Sequence, residues 1–198
     1  MKMHKMLSAG LLASILALPA AAQFGQVQRS QAEIALEEAQ ARQAKARAAR
    51  DAAETACAAR DLEGCFRLAD MQRRGTGGLQ DLKGAARTYK TLCDARDGRG
   101  CAGLAYLNVQ GRGVTENLSE GRNLYRKACD YGDVSGCAAW GNMAYTGTGG
   151  RKDVAAGSQA LTEACERDYE WACDRVRELG IFARGDEPFE RLRDLRGQ

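Results

Sequence analysis

The sequence predicts an all-α fold, a right-handed α-solenoid of helical hairpins with a long N-terminal helix, and three observations carry that expectation. Cysteines recur in pairs, Cys57 with Cys65, Cys93 with Cys101, Cys129 with Cys137 and Cys165 with Cys173, each pair beginning 36 residues after the last. Within every period, apolar and small residues return at steps of three and four, the spacing that lines one face of a helix. Only 2 prolines and 6% aromatics accompany the many alanines and arginines of the 198-residue chain, a composition that favours helix over sheet. Self-similarity at this length marks units that bury their apolar faces only by stacking on one another.

Taking the elements in order, the chain opens with Lys2, His4 and Lys5, continues through an apolar run from Leu7 to Leu18, and reaches Pro19 and the small residues Ala20 to Ala22. This is the pattern of a signal peptide over 1–22, cleaved after Ala22. The run is too short for a spanning helix, which needs about 20 apolar residues, so no membrane insertion is expected. No cysteine stands at the junction to take a lipid, and the expected product is soluble, in the periplasm or secreted. Cleavage removes two lysines and no acid, so the formal net charge falls from +3 to +1. A nearly neutral chain with interspersed charges has no phosphate-tracking face, and no nucleic-acid partner is expected.

Residues 23–56 read as one Ala/Gln/Arg-rich helix, an incomplete first repeat, with Ser30 and Glu33 at capping-box spacing. Its first half offers only Ile34 and Leu36 as large apolar residues and has little to bury, whereas its second half stands where a repeat's second helix would. Repeats follow at 57–92, 93–128 and 129–164, then a truncated repeat with a C-terminal cap at 165–198. The first helix of each is marked by Leu68 and Met71, Leu104 and Leu107, Trp140 and Met143, and Val176 and Leu179. Glycine pairs end it at Gly75 and Gly77, Gly111 and Gly113, and Gly147 and Gly149. A capping residue then opens the second helix at Asp81, Asn117 and Asp153, where a short side-chain oxygen accepts from unpaired first-turn amides. Ala85, Gly121 and Gly157 leave room for close helix approach, and Gly64, Gly100 and Gly136 read as the glycines of the inter-repeat reversal. A last helix is expected from Asp186, Glu187 and Pro188, with Phe189, Leu192 and Leu195 inward.

The run from Leu104 and Ala105 through Gly111-Arg112-Gly113-Val114 to Asn117, Tyr125, Lys127 and Ala128 resembles the Sel1-like repeat, a relative of the tetratricopeptide repeat with two antiparallel helices per unit. The paired cysteines are similar to those of its secreted, cysteine-rich bacterial branch. Two features depart from the pattern. Gln72, Asn108 and Ala144 replace the family tyrosine three residues before the first glycine, and the fourth unit has Trp171 and Ala172 at its turn.

Residues eight apart on one straight helix lie about 12 Å apart along its axis, beyond the roughly 7 Å limit for bridged Cα atoms, so the chain must reverse between the members of each pair. Eight cysteines allow 105 pairings in principle, and the repeat selects the local one, 57 to 65, 93 to 101, 129 to 137 and 165 to 173. Each bridge then joins the end of one repeat to the start of the next. The competing use is zinc, whose structural sites bring cysteines about two to four residues apart, and no such pair is present. No metal or other cofactor is expected.

His4 is the sole histidine and leaves with the signal peptide, which excludes serine–histidine and cysteine–histidine catalysis and histidine-bound zinc from the mature chain. The resemblance brings a second reading, because relatives in the cysteine-rich branch are described as penicillin-binding or weakly β-lactamase-active. A serine enzyme of that kind needs lysine three residues after its serine. Here Glu33 follows Ser30, Arg122 follows Ser119, Ala138 follows Ser135 and Leu161 follows Ser158. Gly98, Gly100 and Gly103 spell a dinucleotide-binding pattern, which has meaning only between a strand and a helix. The expectation is therefore an interaction scaffold of the cell envelope, holding a protein or peptide on the concave face lined by the first helices. The alternative is a β-lactam- or peptidoglycan-fragment-binding protein with hydrolase activity. Arg67, Arg74, Tyr106, Gln110, Asn142 and Tyr145 occupy positions that the core pattern leaves free, and they are the candidate binding residues, catalytic ones being absent.

Overall fold

A computed structural model describes residues 30–181. The expected signal peptide at 1–22, the helix start at 23–29 and the closing helix around Pro188 lie outside the described residues. The chain divides into two compact units, Met1–Gln40 and Ala41–Gln198. In the first, Ser30 opens helix α1, Gln31–Ala58. Ser30 N donates to Glu33 Oε2 at 2.8 Å and Glu33 N to Ser30 Oγ at 3.2 Å, so the capping box forms in both directions. Every residue from 30 to 40 is exposed, Leu36 included.

The second unit continues α1 and adds seven helices: α2 Leu62–Arg74, α3 Leu82–Asp94, α4 Gly98–Gln110, α5 Leu118–Asp130, α6 Val134–Thr146, α7 Val154–Glu166 and α8 Glu170–Glu178. No strand occurs among the described residues. From α2 onward each helix packs on its neighbours in sequence, and alternate helices α4 and α6, then α6 and α8, also touch, as stacked hairpins require. The core is built largely of alanine, with Leu92, Leu107 and Leu161 the largest fully buried aliphatic side chains. Small side chains bring the helices close, and that closeness is the packing solution of the repeat. At Gly121 an added Cβ would stand 2.5 Å from Val109 Cγ2, and at Gly157 2.5 Å from the backbone N of Tyr145.

Caps punctuate the array. Asp81, Asn117 and Asp153 accept from Gly84 N at 2.7 Å, Glu120 N at 3.0 Å and Ala156 N at 3.0 Å. Their own N–H groups donate back to the carbonyls of Gln72, Asn108 and Ala144, the three positions that lack the family tyrosine. A second cap series stands at Asp61, Asp97 and Asp133 on the first helices, and it went unread in the sequence. The fourth member of that series is Tyr169, which makes no side-chain cap bond, and α8 runs only 9 residues.

Four disulfides close locally at Cys57–Cys65, Cys93–Cys101, Cys129–Cys137 and Cys165–Cys173, with Cα atoms 4.3 to 4.6 Å apart, and no cysteine is free among the described residues. Each staples the end of a second helix to the start of the next first helix. The glycines expected to turn the chain there do something else. Gly64, Gly100 and Gly136 lie inside the first turn of α2, α4 and α6, buried against the preceding helix. The left-handed residues that reverse the chain are Arg60, Arg96, Gly132 and Asp168, with φ of 65°, 62°, 85° and 61°. Glycine serves here because a Cβ has no room, and three of the four turns use ordinary residues.

Candidate functional site

The 36-residue register sets equivalent positions of α2, α4, α6 and α8 side by side, and a groove of about 830 Å³ runs across them. From α2 come Phe66, Asp70, Arg73 and Arg74, and from α4 come Arg99, Ala102, Gly103, Tyr106 and Gln110. Ser135 and Ala139 on α6 continue the wall, Tyr169 and Trp171 close the far end, and Tyr89 and Tyr125 reach in from α3 and α5. The site depends on small residues as much as on large ones. A Cβ at Gly103 would stand 2.6 Å from the Tyr89 ring, so the missing side chain is what lets that ring fill the space between repeats.

Charge in the groove is concentrated at the α2 end and is internally paired. Asp70 receives Arg73 at 2.5 Å and Arg74 at 2.9 Å. The Arg99 guanidinium lies 4.4 Å from the Phe66 ring centroid, donates to Glu63 Oε2 at 2.6 Å and to Asp97 Oδ2 at 2.8 Å, and thereby ties two repeats together. Those two carboxylates, Asp97 first, raise the arginine's pKa. Burial alone would raise Asp97, but the Arg99 hydrogen bond, the Arg99 charge and the amides of Gly100 and Arg99 outweigh it and hold the carboxyl below its ordinary range. Burial, with Tyr106, Tyr169 and Asp133 nearby, pushes the Tyr125 hydroxyl up to about 12. Burial also raises Tyr89, against the opposing pull of Arg73. Both phenols therefore stay protonated at neutral pH. What converges here is binding chemistry: six aromatic rings, paired guanidinium groups and hydroxyls along one open channel.

A carboxylate whose folded pKa lies below its unfolded value lends stability above the unfolded value of about 4 and loses it as pH falls through the folded one. Asp97→Asn keeps a side-chain acceptor at the cap, and it is expected to flatten the fall in melting temperature as pH drops below about 4. An acid limb identical to that of the unsubstituted protein would show that Asp97 is not the group responsible.

Of the residues singled out from sequence, Arg74, Tyr106 and Gln110 line this groove together. Arg67 is exposed on α2 outside it. Asn142 is occupied by Arg175, whose Nε donates to its Oδ1 at 2.7 Å, and Tyr145 lies half-buried with Lys152 Nζ 5.8 Å from its ring centroid. Sequence reasoning missed Phe66, Arg73, Arg99, Tyr169 and Trp171 as groove residues. A usable signal existed: Trp171 stands in register with Glu63, Arg99 and Ser135, a position that changes character in every repeat.

No family model matches the chain, and no curated protein does. Among solved structures the chain is similar to c5321, a protective antigen of uropathogenic Escherichia coli strains displaying an SLR fold, at 22% identity and a TM-score of 0.60, over 63% of this chain and 27% of that one. It is similar to a Sel1 repeat protein from Oxalobacter formigenes at 24% identity and a TM-score of 0.56, over 61% of this chain and 49% of that one. It is also similar to Helicobacter pylori cysteine rich protein B at 24% identity and a TM-score of 0.54, over 67% of this chain and 95% of that one. The chain thus spans about a quarter and about half of the first two structures. Stacked two-helix units, closed one to the next by a disulfide at every period, make this protein an α-solenoid with the fold of the Sel1-repeat structures.

Proposed function

We propose that this protein is an exported interaction scaffold that holds a protein or peptide segment in the groove crossing α2, α4, α6 and α8. The observation that carries the reading is the groove's lining: aromatic rings from six positions with arginines at one end, on a rigid repeat scaffold. Aromatics and arginines are the residues that most often anchor interfaces. Disulfides form and persist in oxidising compartments, which supports export to the periplasm or beyond. No described helix is long and apolar enough to cross a membrane.

The test is selection of binders from a displayed library of short random peptides, followed by affinity measurement of one enriched peptide. Changing Tyr106 and Arg74 to alanine together is expected to weaken that peptide by about tenfold or more, since loss of buried anchors typically costs 2 kcal/mol or more. Changing Arg87 and Gln159, both exposed on second helices, is expected to leave it unchanged. Equal affinity in all three proteins would remove the groove from consideration and turn attention to the exposed start of α1.

A further inference from the structure

Away from the groove, one depression is distinguished by its charge. It encloses about 750 Å³ between α5 and the loop that leads into α7. Four basic side chains, Arg122, Arg126, Arg151 and Lys152, line it against one carboxylate, Asp153. That carboxylate is already engaged as the helix cap, accepting from Ala156 N at 3.0 Å. None of the four basic groups takes part in an ion pair among the described residues, and Lys152 has only the Tyr145 ring, its Nζ 5.8 Å from the centroid.

The repeat supplies internal controls. Arg122 has a structural duty, donating to the carbonyls of Thr148 at 3.4 Å and Arg151 at 2.9 Å, just as Arg50, two periods earlier, donates to Leu79 O at 3.0 Å. Around Arg50 the same architecture carries no charge excess: the place of Arg126 is taken by Glu54, 3.8 Å from Arg50, and the places of Arg151 and Lys152 by Leu79 and Gln80. In the middle period those two places hold Thr115 and Glu116. The loop therefore folds without the three extra cations. Nor does a general basic bias explain them, because the whole chain is only +3. Gathering unpaired like charges around one depression is unfavourable until an anion arrives.

We propose that this depression binds an anionic phosphate group, free or displayed on a lipid headgroup. Guanidinium forks match phosphate oxygens two at a time, and a single carboxylate would leave most of the positive charge uncompensated. The site stands on α5 and the approach to α7, the second helices, and is independent of the groove on the first helices.

The experiment titrates the purified protein with sodium pyrophosphate at low ionic strength, follows backbone amide resonances, and adds flotation with phosphatidylglycerol vesicles against phosphatidylcholine alone. The expected result is saturable shifts confined to residues 119–126 and 148–156, weakened about tenfold or more by the triple change Arg126→Gln, Arg151→Gln and Lys152→Gln. A charge-matched control, Arg47→Gln, Lys83→Gln and Arg87→Gln, all exposed and outside both the groove and the depression, is expected to change the affinity by less than about twofold. Pyrophosphate binding without flotation supports a free phosphate, and flotation dependent on phosphatidylglycerol and on the three residues supports a headgroup. Equal loss in the two triple variants would reduce the effect to net charge and overturn the proposal, as would no response to either probe.

Discussion

A Gly100→Ala variant is expected to lose about 2–3 kcal/mol of stability, the cost of forcing a methyl group into a closed contact. Gly100 sits in the first turn of α4, fully covered, and an added Cβ would overlap Leu92 Cβ while standing 2.9 Å from Cys93 N and 3.0 Å from the Leu92 carbonyl carbon. Backbone cannot swing aside as a side chain can, and the Cys93–Cys101 bridge holds the two helices together at this point. The informative comparison is Gly132→Ala. Gly132 has φ of 85° but nothing within 4 Å of an added Cβ, so only backbone strain opposes the change, at about 1 kcal/mol. Urea midpoints at constant slope measure both. A loss at Gly100 no larger than that at Gly132 would contradict the claim that a closed contact is what requires glycine at position 100. The fourth unit shows what tolerance of a methyl here involves: Ala172 fills the equivalent place, buried beside Ala164 where Gly100 meets Leu92, in a helix that is shorter and lacks its cap.

The second large effect is expected from removing one staple. On the loop-entropy view a closed loop of this size contributes about 2.5 kcal/mol, so changing Cys93 and Cys101 together to alanine should lower the melting temperature by about 5–10 °C while the helical circular dichroism persists. Alanine is the appropriate replacement, because Cys101 is fully buried and a serine hydroxyl there would have to find a partner. Helices α3 and α4 on either side of the turn should survive, since each keeps its aspartate cap and its alanine-lined core. Loss of all helical signal would mean that the bridges organise the solenoid and do more than reinforce it.

The architecture was legible because a repeat writes each structural requirement several times. The cysteine spacing, the caps at Asp81, Asn117 and Asp153 and the small residues at Gly121 and Gly157 each serve one recurring contact, and a periodic contact leaves a periodic mark. The role of Gly64, Gly100 and Gly136 was not legible, because a glycine needed for room and a glycine needed for positive φ look the same in a sequence. The caps at Asp61, Asp97 and Asp133 were equally periodic, but an aspartate three residues before a glycine suits a turn as well as a helix start. The groove was only half visible. Arg74, Tyr106 and Gln110 follow from one helix face, whereas Tyr89 and Tyr125 reach it from the second helices because Gly103 and its counterpart Ala139 leave space, a dependence between residues on different helices that no single periodicity encodes.

The central claim is that a partner occupies the groove on the first helices in the compartment where the disulfides form, and site-specific photo-crosslinking in living cells tests it most directly. A photoreactive phenylalanine analogue placed at Tyr106 is expected to give a discrete adduct in protein whose cysteines resist alkylation until reduced. The same analogue at Arg87, exposed on α3, is expected to give none. Adducts from position 87 and none from position 106, or crosslinking confined to chains whose cysteines alkylate freely, would contradict the account.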